Sequence, residues 1–251
     1  MEKKLQDHSK IVLSVVSHGQ IDLVKQLLCD LEQQTYKDFR VILRKNVAEA
    51  SLQETFDFPI FEIDNLNVNG FGENHNRNYE FGTSEYFIVV NPDIRIYDVK
   101  FLENLVSKLD EQPIHICGPK VVAPSGELED SVRSFPTITS LYNKIFKHKK
   151  DQNLIDNAHD IIEVDWLAGM FLCFRKDIFR KLNGFDEKYF MYYEDVDICL
   201  RAIAAGIKVN CLTTLTVQHA ARRDSHTNWY LKKVHIRSML RYLYRFYRGK
   251  I

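Results

Sequence analysis

The sequence predicts an α/β protein with a mostly parallel central sheet covered by helices. Short apolar runs recur along the first half of the 251 residues, and segments with apolar residues at helical spacing lie between them. Alternation of this kind builds a parallel sheet, because two parallel strands in sequence need a crossover helix between them. The longest apolar runs are far too short to span a bilayer.

The elements follow a regular order up to residue 122. Runs rich in β-branched and aromatic residues predict strands at 11–17, 39–43, 58–63, 86–90 and 114–122. Apolar residues at helical spacing predict a helix that begins at Ile21 and a second helix at 99–109. Residues 67–78, rich in glycine and asparagine, predict a flexible loop whose side chains suit sugar hydroxyls and phosphates, or else act only as turn formers.

The second half alternates less regularly. Residues 124–136 are rich in turn formers, and the lysine-rich and polar stretch at 147–160 predicts a mobile surface excursion. Helices are predicted at 176–182, at 194–205 and from about residue 228, and late strands at 207–212 and 215–219. We therefore expect one domain over residues 1–226 and a basic amphipathic helix over 227–251 packed on it.

Charge distribution, cysteine positions and the N-terminal sequence indicate the kind of protein and its location. The net charge is zero, yet residues 222–250 contain nine Lys or Arg and one acid. Since most of the five cysteines lie in apolar segments without zinc spacing, we expect buried free thiols. The polar N-terminus, without an apolar signal segment, predicts a cytoplasmic protein.

Two stripes run along the C-terminal helix. The apolar stripe consists of Ile236, Met239, Leu240, Leu243, Tyr244 and Tyr247, and a basic stripe of Arg237, Arg241, Arg245 and Arg248 lies beside it. Such a helix either packs on the body with a solvated face or lies on an anionic membrane. No RNA-binding module accompanies it, so a membrane surface is the preferred partner and no nucleic acid is expected.

Carboxylates in two places indicate a catalytic site. Asp93 follows the strand at 86–90 and a proline, so it lies at the carboxyl end of the sheet, where it can hold Mg²⁺ or Mn²⁺ or simply form a turn. Glu194 and Asp195 open a helix behind four apolar or aromatic residues. Acids are favoured there by the helix dipole alone, but partial burial also makes a carboxylate a better base.

Taken in order, the motifs resemble the inverting GT-A glycosyltransferases of family 2, and among them the bacterial rhamnosyltransferases of O-antigen lipopolysaccharide and cell-wall assembly. The motifs are SVVSHG (14–19), GFGENHNRN (70–78), FIVVNPDI (87–94), VDWLAGMFLCFR (164–175), GFDEKYFMYYEDVDICLR (184–201) and the tail from His219. The resemblance covers nearly the whole chain and implies the GT-A fold.

The resemblance also implies roles for single residues. Asp195 matches the general base, with Glu194 beside it, and Asp93 and His219 match the metal-binding positions. The donor would contact Ser17, His18, Asn74, Arg77, Asn78 and Asp93, and the acceptor would contact Asp165, Trp166 and Gly169. The second strand ends in Arg-Lys-Asn (44–46) and lacks the acid that often reads a pyrimidine in this family, which leaves base recognition open.

The implied reaction moves L-rhamnose from dTDP-β-L-rhamnose to a hydroxyl of a polyprenyl-diphosphate-linked, GlcNAc-like saccharide, with inversion. The implied location is peripheral, on the inner face of the cell membrane. Another nucleotide sugar, such as a UDP-hexose, is the first alternative. A nucleotidyltransferase is less favoured, because a basic, glycine-rich loop after the first strand is missing. A non-catalytic membrane-surface adaptor is the alternative from another class.

Overall fold

Eleven strands and seven helices follow one another along the residues described by the computed structural model, which are 8–249 apart from 53–54, 83, 147–154, 156–157 and 220–228. The strands are β1 (Ile11–Ser17), β2 (Phe39–Lys45), β3 (Ile60–Asp64), β4 (Tyr86–Val90), β5 (Ile94–Arg95), β6 (Ile116–Val122), β7 (Val132–Arg133), β8 (Ile161–Val164), β9 (Trp166–Leu167), β10 (Phe171–Arg175) and β11 (Val209–His219). The helices are α1 (Ile21–Glu32), α2 (Phe71–Tyr79), α3 (Phe101–Glu111), α4 (Ile138–Phe146), α5 (Lys176–Lys181), α6 (Glu194–Ala204) and α7 (Trp229–Arg248).

A nine-stranded sheet is the centre of the described part, in the order β3-β2-β1-β4-β10-β6-β11-β5, with β8 paired to β11. Strands β3, β2, β1 and β4 are mutually parallel, β10 runs antiparallel to both β4 and β6, and β11 is parallel to β6. Six strands therefore point the same way. The predicted α/β class with a mostly parallel sheet is confirmed.

Strand alternation divides the core between the two faces of the sheet. In β1, Ile11, Leu13 and Val15 belong to one buried cluster and Val12 to the other, because successive side chains of a strand point to opposite faces. The first cluster takes the buried residues of α1 and α3, and the second takes those of α5 and α6. Helices thus cover both faces and leave the carboxyl edge of the parallel strands available for a site.

Two predictions about local structure are wrong. Residues 71–79, predicted as part of a flexible loop, form helix α2. Its sequence is poor in strong helix formers, and its buried asparagines Asn74 and Asn78 hydrogen-bond to Asn65 and to the Ser14 hydroxyl. The late strands at 207–212 and 215–219 are one strand, β11, whose register shifts between Leu212 and Thr216. A bulge of this kind keeps one strand paired to β6 across an irregular segment.

Helix α7 packs on the body through a face that the predicted apolar stripe covers only in part. Tyr242 is fully buried, and the Ser238 hydroxyl donates to the carbonyl oxygen of Met191 at 2.8 Å. Arg245 lies 2.7 Å from an oxygen of Asp186 and 2.8 Å from an oxygen of Asp197. The predicted apolar stripe is divided, because Met239 and Leu243 pack on the body whereas its other members are exposed. Arg245 of the basic stripe points inward.

Other predictions are confirmed only in part or fall on residues outside those described. Four cysteines are buried free thiols as expected, whereas Cys29 is exposed. Residues 138–146 form α4, and the predicted excursion falls mainly on 147–154 and 156–157, outside the described residues. The basic residues at 222–223 and the N-terminal residues 1–7 also lie outside them. Within the described residues, none of the helices combines the length and apolar character needed to cross a membrane.

Candidate active site

Asp93 and His219 meet at the carboxyl edge of the sheet because of strand pairing. Asp93 follows β4 by three residues and immediately precedes β5. The antiparallel register of β5 and β11 sets His219 opposite Ile94, so the imidazole reaches the neighbouring aspartate. His219 Nε2 lies 3.2 Å from Asp93 Oδ2, and both side chains are mostly buried.

The atoms of this pair fit a divalent cation. Asp93 Oδ1 and His219 Nδ1 are buried without a hydrogen-bond partner. Burial alone would lower the pKa of His219, but the hydrogen bond and charge of Asp93 outweigh it and raise the pKa. Among the described residues no group of three or more His, Cys, Asp or Glu could hold a metal. Two protein ligands would leave most positions to water and phosphate oxygens, as Mg²⁺ sites often do.

Asp195 lies at the first turn of α6 with both carboxylate oxygens engaged. The backbone N–H of Gly169 donates to Oδ2 at 2.8 Å, and the N–H of Val196 donates to Oδ1 at 2.8 Å. Gly169 belongs to the connection between β9 and β10, so this bond brings the base candidate to the edge of the sheet. Burial raises the pKa of Asp195, while the two backbone donors oppose the rise.

Glu194, its neighbour, is held differently. Its side chain is 5% exposed, and Oε2 is buried without a hydrogen-bond partner. Burial, together with the negative charge of Asp195, raises the pKa of Glu194 well above its usual range. A carboxyl group in this state tends to keep its proton and is therefore a poorer proton acceptor than Asp195.

A third acid in the first turn of α6, Asp197, is bound by two arginines. Its side chain is 1% exposed and accepts from Arg201 at 2.8 Å, one turn later on the same helix. Arg245 of α7 completes the pairing at 2.8 Å. Asp197 thus ties α6 to α7 and does not face the cavity.

Two consecutive residues before α6 adopt left-handed backbone conformations. Tyr192 has φ 68° and Tyr193 has φ 67°, values that cost free energy in residues other than glycine. Helix α7 clamps this segment, since the ring of Tyr242 lies 5.4 Å from that of Tyr193 and Ser238 binds the carbonyl of Met191. The packing of α7 therefore fixes the approach to Glu194 and Asp195.

This clamp gives a testable expectation for Ser238. Ser238→Ala removes a buried hydrogen bond and leaves the Met191 carbonyl unpaired, so the free energy of unfolding should fall by about 1 kcal/mol or more. Urea denaturation measures the change. Ser107→Ala, which removes an exposed bond to Glu111, is the matched control and should change stability by less than about 0.5 kcal/mol. Equal losses in the two variants would show that Ser238 is not part of a clamp.

A cavity of about 1290 Å³ opens at this edge of the sheet. Of the predicted site residues, six line it: His18, Asp93, Trp166, Gly169, Glu194 and Asp195. The candidate base and the candidate metal ligand thus share one cavity. His219 does not line the cavity itself, but it contacts Asp93, which does.

The predicted donor contacts Asn74, Arg77 and Asn78 do not reach the cavity. Asn74 and Asn78 are fully buried, and Arg77 pairs with Glu73 on the surface of α2 at 2.7 Å. Asn74 belongs to an amide network with Asn46 and Asn65, in which it donates to Asn46 at 3.2 Å. Asn78 accepts from Arg44 at 2.8 Å and donates to the Ser14 hydroxyl at 2.9 Å. Both asparagines support the cavity wall from behind instead of facing a ligand.

His75 and Ser17 also lie behind the wall. The imidazole of His75 is 2.7 Å from the hydroxyl of Ser14, and burial lowers the pKa of His75 to about 3, so the ring is neutral. Ser17 is buried and donates to Glu49 at 2.7 Å. Ser17 therefore shapes the end of β1, while the next residue, His18, lines the cavity.

Of the predicted acceptor residues, some line the cavity and one lies behind its wall. Trp166 lines the cavity, and its indole N–H donates to the carbonyl of Ser134 at 3.1 Å. Asp165 accepts from the backbone N–H of Phe135 at 2.9 Å and does not line the cavity. Asp165 thus positions the segment that carries Phe135, a wall residue.

Several wall residues were not predicted from the sequence. Asn46 and Asn69 line one part of the cavity, and Tyr230, Leu231 and His235 bring the first turns of α7 to another part. Asn46 follows β2 at the position where the family often has an acid, which is the one signal that points to it. The role of α7 depends on how the helix packs, and no local pattern indicates that.

Comparisons with known proteins find related glycosyltransferases. Residues 154–224, which include β8 to β11 and α6, match the family model described as the N-terminal domain of galactosyltransferase. Rhamnosyltransferase WbbL of Escherichia coli (strain K12) is 29% identical over 254 residues, covering 94% of this chain and 93% of WbbL. The N-acetylglucosaminyl-diphospho-decaprenol L-rhamnosyltransferase of Mycobacterium tuberculosis (strain CDC 1551 / Oshkosh) is 30% identical over 131 residues, covering 49% of this chain and 42% of that protein.

A solved structure shares the fold. Mannosyltransferase PcManGT from Pyrobaculum calidifontis, in complex with GDP-Man and Mn²⁺, superposes with a TM-score of 0.61 at 13% identity. The alignment covers 87% of this chain and 59% of PcManGT, so this chain spans less than two thirds of that protein. At this identity the similarity shows the fold alone. The predicted resemblance to rhamnosyltransferase-like GT-A glycosyltransferases of family 2 is confirmed by the relatives and the shared fold, and they support a glycosyltransferase.

Proposed function

We propose that this glycosyltransferase moves L-rhamnose from dTDP-β-L-rhamnose to a hydroxyl of a lipid-diphosphate-linked, GlcNAc-like saccharide, with inversion. One observation carries the proposal: the Asp195 carboxylate, fixed by two backbone donors, shares a cavity with Asp93. The names of the relatives support the sugar, and the name of the mycobacterial relative supports the acceptor.

Asp195 acts as the general base in this proposal. It takes the proton of the acceptor hydroxyl while that oxygen forms a bond to the anomeric carbon of the donor. The bond from the anomeric carbon to the diphosphate breaks, and the electron pair leaves with the nucleotide diphosphate. A single displacement on the opposite face inverts the anomeric centre, so a β-L-rhamnosyl donor gives an α-L-rhamnoside.

The other groups bind and orient. Mg²⁺ or Mn²⁺ at Asp93 and His219, when bound, would neutralise charge on the leaving diphosphate. Apolar wall residues such as Phe71, Met170 and Trp166 suit a 6-deoxy sugar, which carries a methyl group in place of a hydroxymethyl group. Tyr192 and Tyr193 shield the base from water, which strengthens its electrostatic interactions.

A donor screen tests the substrate assignment. The protein is incubated with a polyprenyl-diphosphate-linked GlcNAc acceptor and with dTDP-rhamnose, UDP-glucose or UDP-galactose in turn, and release of nucleotide diphosphate is followed. We expect turnover with dTDP-rhamnose at least tenfold above that with either UDP-hexose, and NMR of the product should show an α-linkage. Faster turnover with a UDP-hexose would reassign the donor. Absence of turnover with every donor would favour the non-catalytic adaptor.

We also place the protein at the inner face of the cell membrane as a peripheral protein, since a lipid-linked acceptor is held there. The predicted basic stripe, however, is not wholly available to a membrane. Arg245 is paired with Asp186 and Asp197, and Arg241 packs over the ring of Tyr189 at 5.8 Å. Neither guanidinium points fully outward toward a membrane.

A further inference from the structure

We infer that the outward face of α7 is a docking surface for an anionic lipid bilayer. The inference rests on the proposed function in one respect, because the bilayer would carry the acceptor. The docking face is defined by four apolar residues, Ile236, Leu240, Tyr244 and Tyr247, and four flanking cations, Lys232, Lys233, Arg237 and Arg248.

The apolar residues of this face are exposed although the helix is packed on a globular body. Ile236 is 53% exposed, Leu240 58%, Tyr244 55% and Tyr247 54%. They repeat every three or four residues, so they occupy one side of the helix. A helix on a soluble protein ordinarily turns such a stripe to the core, whereas α7 turns Ser238 and Tyr242 inward. An exposed stripe of this kind marks an interaction surface.

The same surface continues beyond α7. The hydroxyl of Tyr247 accepts a hydrogen bond from the backbone N–H of Ile138 at 3.1 Å, which places the start of α4 beside it. Ile138 is 58% exposed and Tyr142, one turn later, is 54% exposed. Two adjacent helices therefore present apolar side chains to the outside.

The charges on the docking face select an anionic partner. Residues 229–248 contain no acid, and the four flanking cations are all exposed. The guanidinium of Arg248 lies 4.5 Å from the ring centre of Tyr244, and the ammonium of Lys232 lies 5.3 Å from that of Trp229. A second copy of the chain would set cations against cations here. Lipid phosphates, by contrast, complement all of them.

An apolar and aromatic centre with basic flanks is the pattern of a helix that lies in the membrane interface. Helix α7 has 20 residues and is about 30 Å long, enough to place several side chains among the headgroups at once. Tyr230, Leu231 and His235 of the same helix line the active-site cavity. Docking through the outer face would therefore bring the rim of the cavity close to headgroups, where a lipid-linked sugar is presented.

Vesicle binding tests the inference. The full chain is sedimented with vesicles of phosphatidylcholine alone and with vesicles that also contain phosphatidylglycerol. We expect binding to the anionic vesicles that weakens with added salt. The quadruple variant Lys232→Gln, Lys233→Gln, Arg237→Gln and Arg248→Gln should bind at least tenfold more weakly. The triple variant Ile236→Ser, Leu240→Ser and Tyr244→Ser should also lose binding although all its cations remain.

A matched control separates this surface from net charge. The variant Lys25→Gln, Lys100→Gln, Lys181→Gln and Lys188→Gln removes the same charge from exposed positions elsewhere and should bind like the unchanged chain. Equal losses in both quadruple variants would overturn the inference, as would a failure of the unchanged chain to bind anionic vesicles. Self-association abolished by the triple variant, without vesicle binding, would assign the face to a second copy.

Activity assays distinguish a failure of the docking surface from a failure of the proposed function. With a short, soluble acceptor, all three variants should turn over dTDP-rhamnose as the unchanged chain does, because the altered residues lie outside the cavity. With a long-chain acceptor in anionic vesicles, only the α7 variants should be slow. If no donor is used at all while vesicle binding follows these expectations, the proposed function fails and the docking surface stands.

Discussion

Asp195→Asn is expected to lower the rate of sugar transfer by a factor on the order of 10² or more, the range associated with a general base. An amide has nearly the same shape as the carboxylate but cannot accept the proton of the acceptor hydroxyl. Donor affinity should change little, because Asp195 acts on the acceptor. Release of nucleotide diphosphate measures turnover, and calorimetry with the nucleotide measures donor binding.

Glu194→Gln is the matched control for this change. It converts the neighbouring carboxyl group to an amide one residue away, in the same turn of α6, and should slow transfer much less. The reason lies in the surroundings of the two acids: two backbone donors stabilise the charged form of Asp195, whereas Glu194 Oε2 is buried without a partner. Near-normal turnover in Asp195→Asn together with severe loss in Glu194→Gln would make Glu194 the base.

In Asp195→Asn, the amide N–H group of the new side chain faces the backbone N–H of Gly169 or Val196, so two donors meet and one hydrogen bond is lost. The variant should therefore be somewhat less stable. Thermal unfolding shows whether the variant remains folded at the assay temperature.

The pH profile of the unchanged protein gives a second test of Asp195 as the base. Burial raises the pKa of Asp195, and only the deprotonated form accepts a proton. The rate should therefore rise with pH through a value above the ordinary pKa of aspartate.

The sheet could be predicted because its strands are nearly continuous apolar runs. The buried strands β1, β2 and β4 each contain apolar residues on both faces, as a parallel sheet between two helical layers requires. Helix α2 could not be predicted in the same way. Its sequence is poor in strong helix formers, and its buried asparagines find hydrogen-bond partners only after the fold has brought Asn46, Asn65 and Ser14 close to them.

The orientation of α7 also could not be predicted from the local sequence pattern. Its periodicity identifies an apolar and a basic stripe, but periodicity does not tell which stripe meets the body. Buried Asp197 decides this, because a carboxylate that is 1% exposed needs cationic partners and Arg245 is one of them. Once Arg245 and Tyr242 point inward, Leu240 and Tyr244 must point outward. The site depends on the same fact, since the inner face of α7 supplies part of the cavity wall.

Asp93→Ala should weaken donor binding in the presence of Mn²⁺, because the diphosphate loses its bridge to the protein. Changes around metal ligands commonly cost about 10- to 100-fold in metal affinity, and loss of a ligand should cost at least as much. Calorimetry with the nucleotide sugar, with and without EDTA, measures the effect. In the unchanged protein EDTA should reduce the affinity to that of the variant, and EDTA should not reduce the affinity of the variant further.

Two companion variants separate the metal from the fold. Asp93→Asn keeps the side chain's shape and an acceptor for His219 but removes the negative charge, so it should resemble Asp93→Ala in donor binding while unfolding more like the unchanged protein. His219→Ala should weaken metal-dependent binding in the same direction, because its imidazole lies 3.2 Å from Asp93 and is the second ligand candidate of the pair. If donor affinity responds neither to EDTA nor to Asp93→Ala, the pair is a structural ion pair between β5 and β11. Charge on the leaving diphosphate would then have to be neutralised by cationic side chains of the protein.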